Sequence, residues 1–191
     1  LSKTAGIADT AEKQIVLRVD PSLKTAESYR LELTDSQISI SGADNAGVFY
    51  GLQSLLSLTP AQFDSVSLAQ QEVSDSPRYR WRGMHYDMGR NFHGKAVTLR
   101  LIEQMARYKM NKLHLHLTED EGWRLEIPGL PELTDIGATR CFDLSEQQCL
   151  LTQLGTGPHK DGSGNGFYSR DDFIEILKFA SNRHIEVIPE I

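Results

Sequence analysis

Long apolar runs are missing from this sequence. The longest candidate, VFYGLQSLLSL, is broken by Gly51, Gln53 and Ser54 and falls short of the roughly 20 residues that a membrane-spanning helix needs, so no span is expected. Basic residues are not in excess either: 20 Lys and Arg stand against 26 Asp and Glu, for a net charge of −6. Arg78, Arg80, Arg82, Arg90, Arg100 and Arg107 are dispersed rather than massed, which argues against a phosphate-binding patch and against a nucleic-acid partner. Cysteine is nearly absent. With 39% hydrophobic residues over 191 positions, a chain of this size buries roughly 70% of its unfolded surface and needs neither metal nor disulfide to hold together. Its two cysteines, Cys141 and Cys149, lie in a segment of little helical or strand character and are spaced to close a small loop. A disulfide there would indicate an oxidising compartment; two reduced thiols are the alternative. The chain starts at Leu1 without a charged-then-apolar leader, as expected of a mature or trimmed polypeptide.

What is present divides into two regions. In the first, QIVLRVD, SYRLELT and QISIS alternate apolar and polar residues and predict strands in a meander or hairpin, with a turn at Asp35-Ser36. The period then changes: Val48, Leu52, Leu55 and Leu56 fall at helical spacing, with Asn45 as the candidate cap. A polar alternating stretch, SVSLAQQEVSDSP, runs into Pro77. The boundary is placed between Ser74 and Arg78, giving a small α+β domain over residues 1–76 and a second region over 77–191.

In the second region the order is strand, helix, strand: WRGMHYDM, AVTLRLIEQMARYKM and KLHLHLT. Val97, Leu101, Met105 and Tyr108 form one helical stripe suited to lying on a sheet. A further helix is signalled by Ser169 with Asp172 three positions on, and by Phe173, Ile176, Leu177 and Ala180 on its inner face; strand HIEVIPE follows. Three strands separated by two helices predict a parallel sheet, either doubly wound or the start of a (β/α)8 barrel. Three strands close neither, and the chain stops at an apolar edge, which favours the start of a barrel. The connection from Gly122 to Tyr168, containing LGTGPHKDGSGNG, is far longer than an ordinary loop, and such loops often carry function.

The chemistry should gather at the C-terminal ends of these strands, the active face of a barrel. In KLHLHLTEDEGWR, alternation puts Leu113, Leu115 and Leu117 on one face and His114 and His116 on the other, with Glu119 and Asp120 just past the end. His114 and His116 suit two uses: a metal site of a metal-dependent barrel hydrolase, or interior histidines satisfied by hydrogen bonds. Asp120 and Glu121 are two adjacent carboxylates, as an acid and base couple would need, although neighbouring strand residues point opposite ways. Asp87 and Arg90 end the first strand of this region. Arg90 has the planar donor fork to grip two adjacent sugar hydroxyls, and an Asp87–Arg90 ion pair is the structural alternative.

RGMHYDMGRNF, ARYKMNKLHLHLTEDEGWRLEIPGLPELTDIGATR and GFYSRDDFIEILKFASNRHIEVIPEI, in this order over residues 78–191, resemble the opening third of the catalytic barrel of family 20 glycoside hydrolases, most of all its bacterial chitobiase branch. AESYRLELTDSQISISGADNAGVFYGLQSLLSL is similar to the small α+β domain that precedes that barrel. RCFDLSEQQCLL resembles the same branch and implies a Cys141–Cys149 disulfide. The resemblance implies removal of terminal β-linked N-acetylglucosamine or N-acetylgalactosamine from chito-oligosaccharides, with no metal or organic cofactor. Its implied partners are the oligosaccharide and the remainder of the same enzyme, in a bacterial periplasmic, outer-membrane-associated or secreted location.

By position, Arg90 matches the family's arginine for the sugar's outer hydroxyls. Glu119 stands where the family has the first of two aspartates, which supports the catalytic acid through a histidine, and Asp120 matches the second. Asp87, His116 and Glu190 fall beside the site in a structural role. Two departures are visible: Glu119 is one methylene longer than the usual Asp, and Asn91 replaces a common histidine. The family's catalytic His-x-Gly-Gly-Asp-Glu setting is not among these residues, and its relay histidine would come after Ile191. A non-catalytic sugar-binding module is the remaining reading.

Overall fold

The computed structural model describes residues 14–59, 68–153 and 156–191. Residues 65–67 of the expected polar stretch, and Leu154 and Gly155 of the long connection, lie outside them. The chain forms two compact units, Leu1–Arg80 and Trp81–Ile191.

The first unit holds strands β1 (Gln14–Val19), β2 (Tyr29–Leu33), β3 (Gln37–Gly42) and β4 (Gln71–Asp75), with helix α1 (Asn45–Ser57) between β3 and β4. The sheet order is β1-β3-β2-β4, with β2 antiparallel to both neighbours and β1 parallel to β3. The β2–β3 hairpin is as expected from its turn, but β1 skips over β2, so the sheet is not a meander. Ser74 and Asp75 still pair with β2. Alternation sends Tyr29, Leu31 and Leu33 to one face, where they meet Ile40, Tyr50 and Leu55 in the core. On edge strand β1 the apolar residues Ile15, Leu17 and Val19 face outward instead.

Two sequence expectations for α1 are corrected. Its cap is Asp44, not Asn45: the Asp44 carboxylate accepts from Gly47 N at 2.8 Å and from Glu27 N at 2.9 Å, satisfying a free helix N–H that Asn45, already helical, cannot. Its buried residues are Gly47, Tyr50, Gly51, Gln53 and Leu55, while Val48 and Leu52 pack only on the flank. The helix rotates because a Cβ at Gly51 would lie 2.4 Å from Ile40 Cγ2; glycine lets helix and sheet approach.

The second unit carries strands β5 (Gly83–Asp87) and β6 (Lys112–His116), helix α2 (Lys95–Arg107) between them, and helix α4 (Arg170–Ser181) leading into strand β11 (Glu186–Glu190). All three strands are parallel in the order β11-β6-β5. Leu113, Leu115 and Leu117 are fully buried, while α2 packs against α4 and α4 against β11. Ser169 caps α4 in a reciprocal box with Asp172.

The apolar stripes shift here too. On α2 the buried residues are Thr98, Ile102, Met105 and Ala106, and Tyr108, the C-cap beyond the last helical turn, is 78% exposed. On α4, Ile176 and Ala180 are buried, but Leu177 is 38% exposed on the flank. Between β6 and α4 the long connection is built rather than structureless. It contains the short hairpin of β7 (Thr118–Glu119) and β8 (Gly122–Trp123), helix α3 (Glu132–Asp135), and the parallel pair β9 (Arg140–Cys141) and β10 (Leu150–Leu151). It returns to its own start, where Leu125 bridges Tyr168. Cys141 and Cys149 are disulfide-bonded, with Cα atoms 5.7 Å apart.

Candidate active site

Parallel register lines up Asp87, His116 and Glu190 in one row across β5, β6 and β11, with His85, His114 and Ile188 in the row two positions earlier. Successive strand side chains alternate faces, so the burial of Leu113, Leu115 and Leu117 turns His114 and His116 to the opposite face. Just past the strand ends, Gly89 lets the turn carrying Arg90 come close to β7: a Cβ there would lie 3.2 Å from Glu119 Cβ.

These approaches put Arg90 among three carboxylates. Its Nη1 donates to Asp87 Oδ2 at 3.0 Å, its Nη2 lies 2.6 Å from Glu119 Oε1, and its Nε lies 3.6 Å from Glu121 Oε2. Asp87 Oδ1 also accepts from Arg90 N at 3.0 Å, which fixes the turn. The Asp87–Arg90 ion pair read as the structural alternative therefore exists, and Nη2 and Nε still face the two glutamates. Arg90 and Glu119, placed together by strand-end position alone, are in direct contact.

Asp120 is not part of this group. It is exposed at the turn of the β7–β8 hairpin: its backbone N–H donates to Glu119 Oε2 at 3.3 Å, and its carboxylate makes no hydrogen bond or ion pair among the described residues. Asp120 and Glu121 consequently do not form a couple: one faces solvent and the other faces Arg90.

Behind Arg90 lies His116, whose Nε2 is 3.2 Å from Arg90 Nη1 and 3.1 Å from Glu119 Oε1. Its Nδ1 is 2.8 Å from Glu190 Oε2, although the two are not aligned for a hydrogen bond. Burial lowers the His116 pKa, but Glu190, Glu119 and Asp87 outweigh it and hold it above the ordinary imidazole value. The His116 imidazole against it, and then the nearby His114, hold the Glu190 carboxyl below its usual range. For Asp87, burial pushes the pKa up, but Arg90's hydrogen bonds and charge prevail and the net shift is down.

His85, His116 and Glu190 offer three ligand atoms within 4.8 Å of one another. The pair suggested by sequence, His114 and His116, instead turns to one Glu190 oxygen, 2.8 Å from each. All three imidazoles face the same Glu190 carboxylate oxygen, His85 at 3.8 Å and the other two at 2.8 Å.

Sequence reasoning passed over two buried arginines that fix this geometry. Arg124 is fully buried, and its guanidinium donates to five backbone carbonyls, those of Met88, Gly89, Glu121, Ala138 and Gly166. It thus ties the Arg90 turn, the Glu121 turn and the long connection together. Burial first, then neighbouring Arg140, pushes its pKa down to about 10, still protonated at neutral pH. Gly122 makes room for it: a Cβ there would sit 2.2 Å from the Arg124 guanidinium carbon. Arg140 donates to the Arg90 carbonyl at 2.9 Å. Asn91, the histidine replacement, lies against Gly164, where a Cβ would meet its Oδ1 at 1.9 Å. The sequence signal was Gly-x-Arg directly after the acidic turn, which has no periodicity to reveal it.

Comparison with known proteins decides the family. Residues 79–191 match the glycosyl hydrolase family 20 catalytic domain, and residues 1–76 match glycosyl hydrolase family 20 domain 2. The chain belongs to glycosyl hydrolase family 20. It is 48% identical over 195 residues to the N,N'-diacetylchitobiase of Vibrio harveyi, matching 100% of this chain and 22% of that protein. To the β-hexosaminidase B of Pseudoalteromonas piscicida it is 49% identical over 189 residues, 98% of this chain and 24% of the relative. The family 20 chain thus spans about a quarter of the length of these curated relatives. Among solved structures it resembles a family 20 exo-β-N-acetylglucosaminidase from Vibrio harveyi in complex with N-acetylglucosamine, with a TM-score of 0.80 and 35% identity over 93% of this chain and 27% of that one.

Proposed function

We propose that this family 20 chain is the N-terminal part of a β-N-acetylhexosaminidase: a small α+β domain followed by the first three strands and two helices of a (β/α)8 barrel. The complete enzyme removes terminal, non-reducing β-linked N-acetylglucosamine or N-acetylgalactosamine from chitobiose and chito-oligosaccharides. One observation carries the reading. Arg90 stands past the ends of parallel strands, anchored at Nη1 by Asp87 and flanked by Glu119 and Glu121. Such a guanidinium donates to sugar hydroxyl oxygens, while the carboxylates beside it accept the hydroxyl protons.

Hydrolysis in this family is substrate-assisted and retaining. A glutamic acid protonates the departing oxygen as the sugar's own acetamido oxygen attacks the anomeric carbon, steered by the preceding aspartate. That acidic pair is not among these 191 residues, so the part played here is to bind and orient the sugar. Glu119's extra methylene lets its carboxylate reach both Arg90 and His116. The reaction takes no metal or organic cofactor. A periplasmic or secreted location, outer-membrane association included, is supported by the Cys141–Cys149 disulfide.

The test is Arg90→Lys and Arg90→Ala in the complete polypeptide, assayed on a chromogenic N-acetylglucosaminide. Loss of a charge-assisted, two-point grip should raise KM about tenfold or more. An unchanged KM removes Arg90 from the sugar site, and sugar binding without turnover by the complete polypeptide favours the binding module.

A further inference from the structure

A single nitrogen, His116 Nε2, touches both members of the Arg90–Glu119 pair, at 3.2 Å and 3.1 Å. It cannot serve both at once. An imidazole nitrogen with a lone pair accepts from Arg90 Nη1, and the same nitrogen bearing hydrogen donates to Glu119 Oε1. The ring is held from behind by Glu190, 2.8 Å from Nδ1, and its side chain is 12% exposed against 50% for Arg90. It is therefore well placed to act on the guanidinium.

We infer that His116, oriented by Glu190, is a positioning residue for sugar binding, and that its protonation state decides whether Arg90 or Glu119 is held. With neutral His116 and its proton on Nδ1 toward Glu190, Nε2 anchors Arg90 and presents the rest of the fork to the sugar. With protonated His116, Nε2–H turns to Glu119, and a second cation stands beside Arg90 and loosens it. The groups facing the ring are His85 and Asp87 from β5, His114 from its own strand, Glu190 from β11, and Arg90 and Glu119 beyond the strand ends. Because the surrounding carboxylates hold its pKa above the ordinary imidazole value, sugar binding should weaken as pH falls and His116 takes up its proton. The sign follows: raising pH removes the cation and restores the grip.

This inference rests on the reading of Arg90 as the sugar-binding residue, and the experiment separates the two. In the complete polypeptide, KM for a chromogenic N-acetylglucosaminide is measured between about pH 5 and 8, the range histidine titrates, for the parent, His116→Gln, Glu190→Gln and Arg90→Lys. The parent should show a KM rise at low pH. His116→Gln should abolish that pH step, with the loss falling on KM more than on kcat. Glu190→Gln should move the step to lower pH, because the anion that favours the imidazolium is gone, and this arm decides the matter should His116→Gln not fold. A parent KM flat across the range, a step retained in His116→Gln, or a step unmoved in Glu190→Gln overturns the inference. If Arg90→Lys leaves KM unchanged, the sugar-site reading itself falls; if it raises KM while His116→Gln keeps the step, only the positioning role does.

Discussion

At the scale of residues, the site depends on a charge, Arg124, with which no acid among the described residues pairs directly. Arg124 spends its fork on the carbonyls of Met88, Gly89, Glu121, Ala138 and Gly166, so its neutral acceptors, not a counter-ion, make its burial tolerable. A lysine has three donors on one atom and cannot span these segments. Arg124→Lys should therefore destabilise the complete polypeptide by on the order of 3 kcal/mol, since buried carbonyls are left without partners. Gly122→Ala should act on the same contact, because its new Cβ would press into the guanidinium. The double variant should then cost less than the sum of the two. Denaturant unfolding of all three variants checks this; strict additivity would mean the two residues do not share that contact.

At the scale of elements, the long connection is organised by its own short pieces. Leu150 N donates to Thr139 O at 2.9 Å and Phe142 N to Pro158 O at 3.0 Å, beside the Cys141–Cys149 bond. Closing so small a loop removes roughly 2–3 kcal/mol of unfolded-state entropy on the chain-entropy estimate. Reduction, or Cys141→Ser with Cys149→Ser, should speed amide exchange at Phe142 and Leu150 while leaving Leu113 and Leu115 in β6 protected. Equal loss of protection in β6 would show that the disulfide holds the sheet rather than the connection. Helix existence was readable because caps and periodicity act locally, as Ser169 and Asp172 illustrate. The buried faces of α1 and α2 were not, because Gly51's missing side chain and Tyr108's place beyond the last turn are facts of packing.

At the scale of the whole molecule, these 191 residues do not include the family's His-x-Gly-Gly-Asp-Glu setting. Expressed alone, they should give no turnover of a chromogenic N-acetylglucosaminide, since Asp120 faces solvent and Glu121 is committed to Arg90. Robust activity would place an acid inside this chain and undo the proposal. Sequence by itself determined the two-region division of α+β followed by parallel strand–helix units, the facing of Leu113, Leu115 and Leu117 away from His114 and His116, and the family. Each of these follows from local periodicity or from an ordered set of motifs. Only tertiary structure decided that Glu190 takes both histidines, that Glu119 meets Arg90 while Asp120 faces solvent, and that Arg124 and Arg140 fix the Arg90 turn. Those contacts join residues distant in the chain, for example 36 positions between Met88 and Arg124. Their geometry is set by strand register and by backbone carbonyls, which have no residue identity to read.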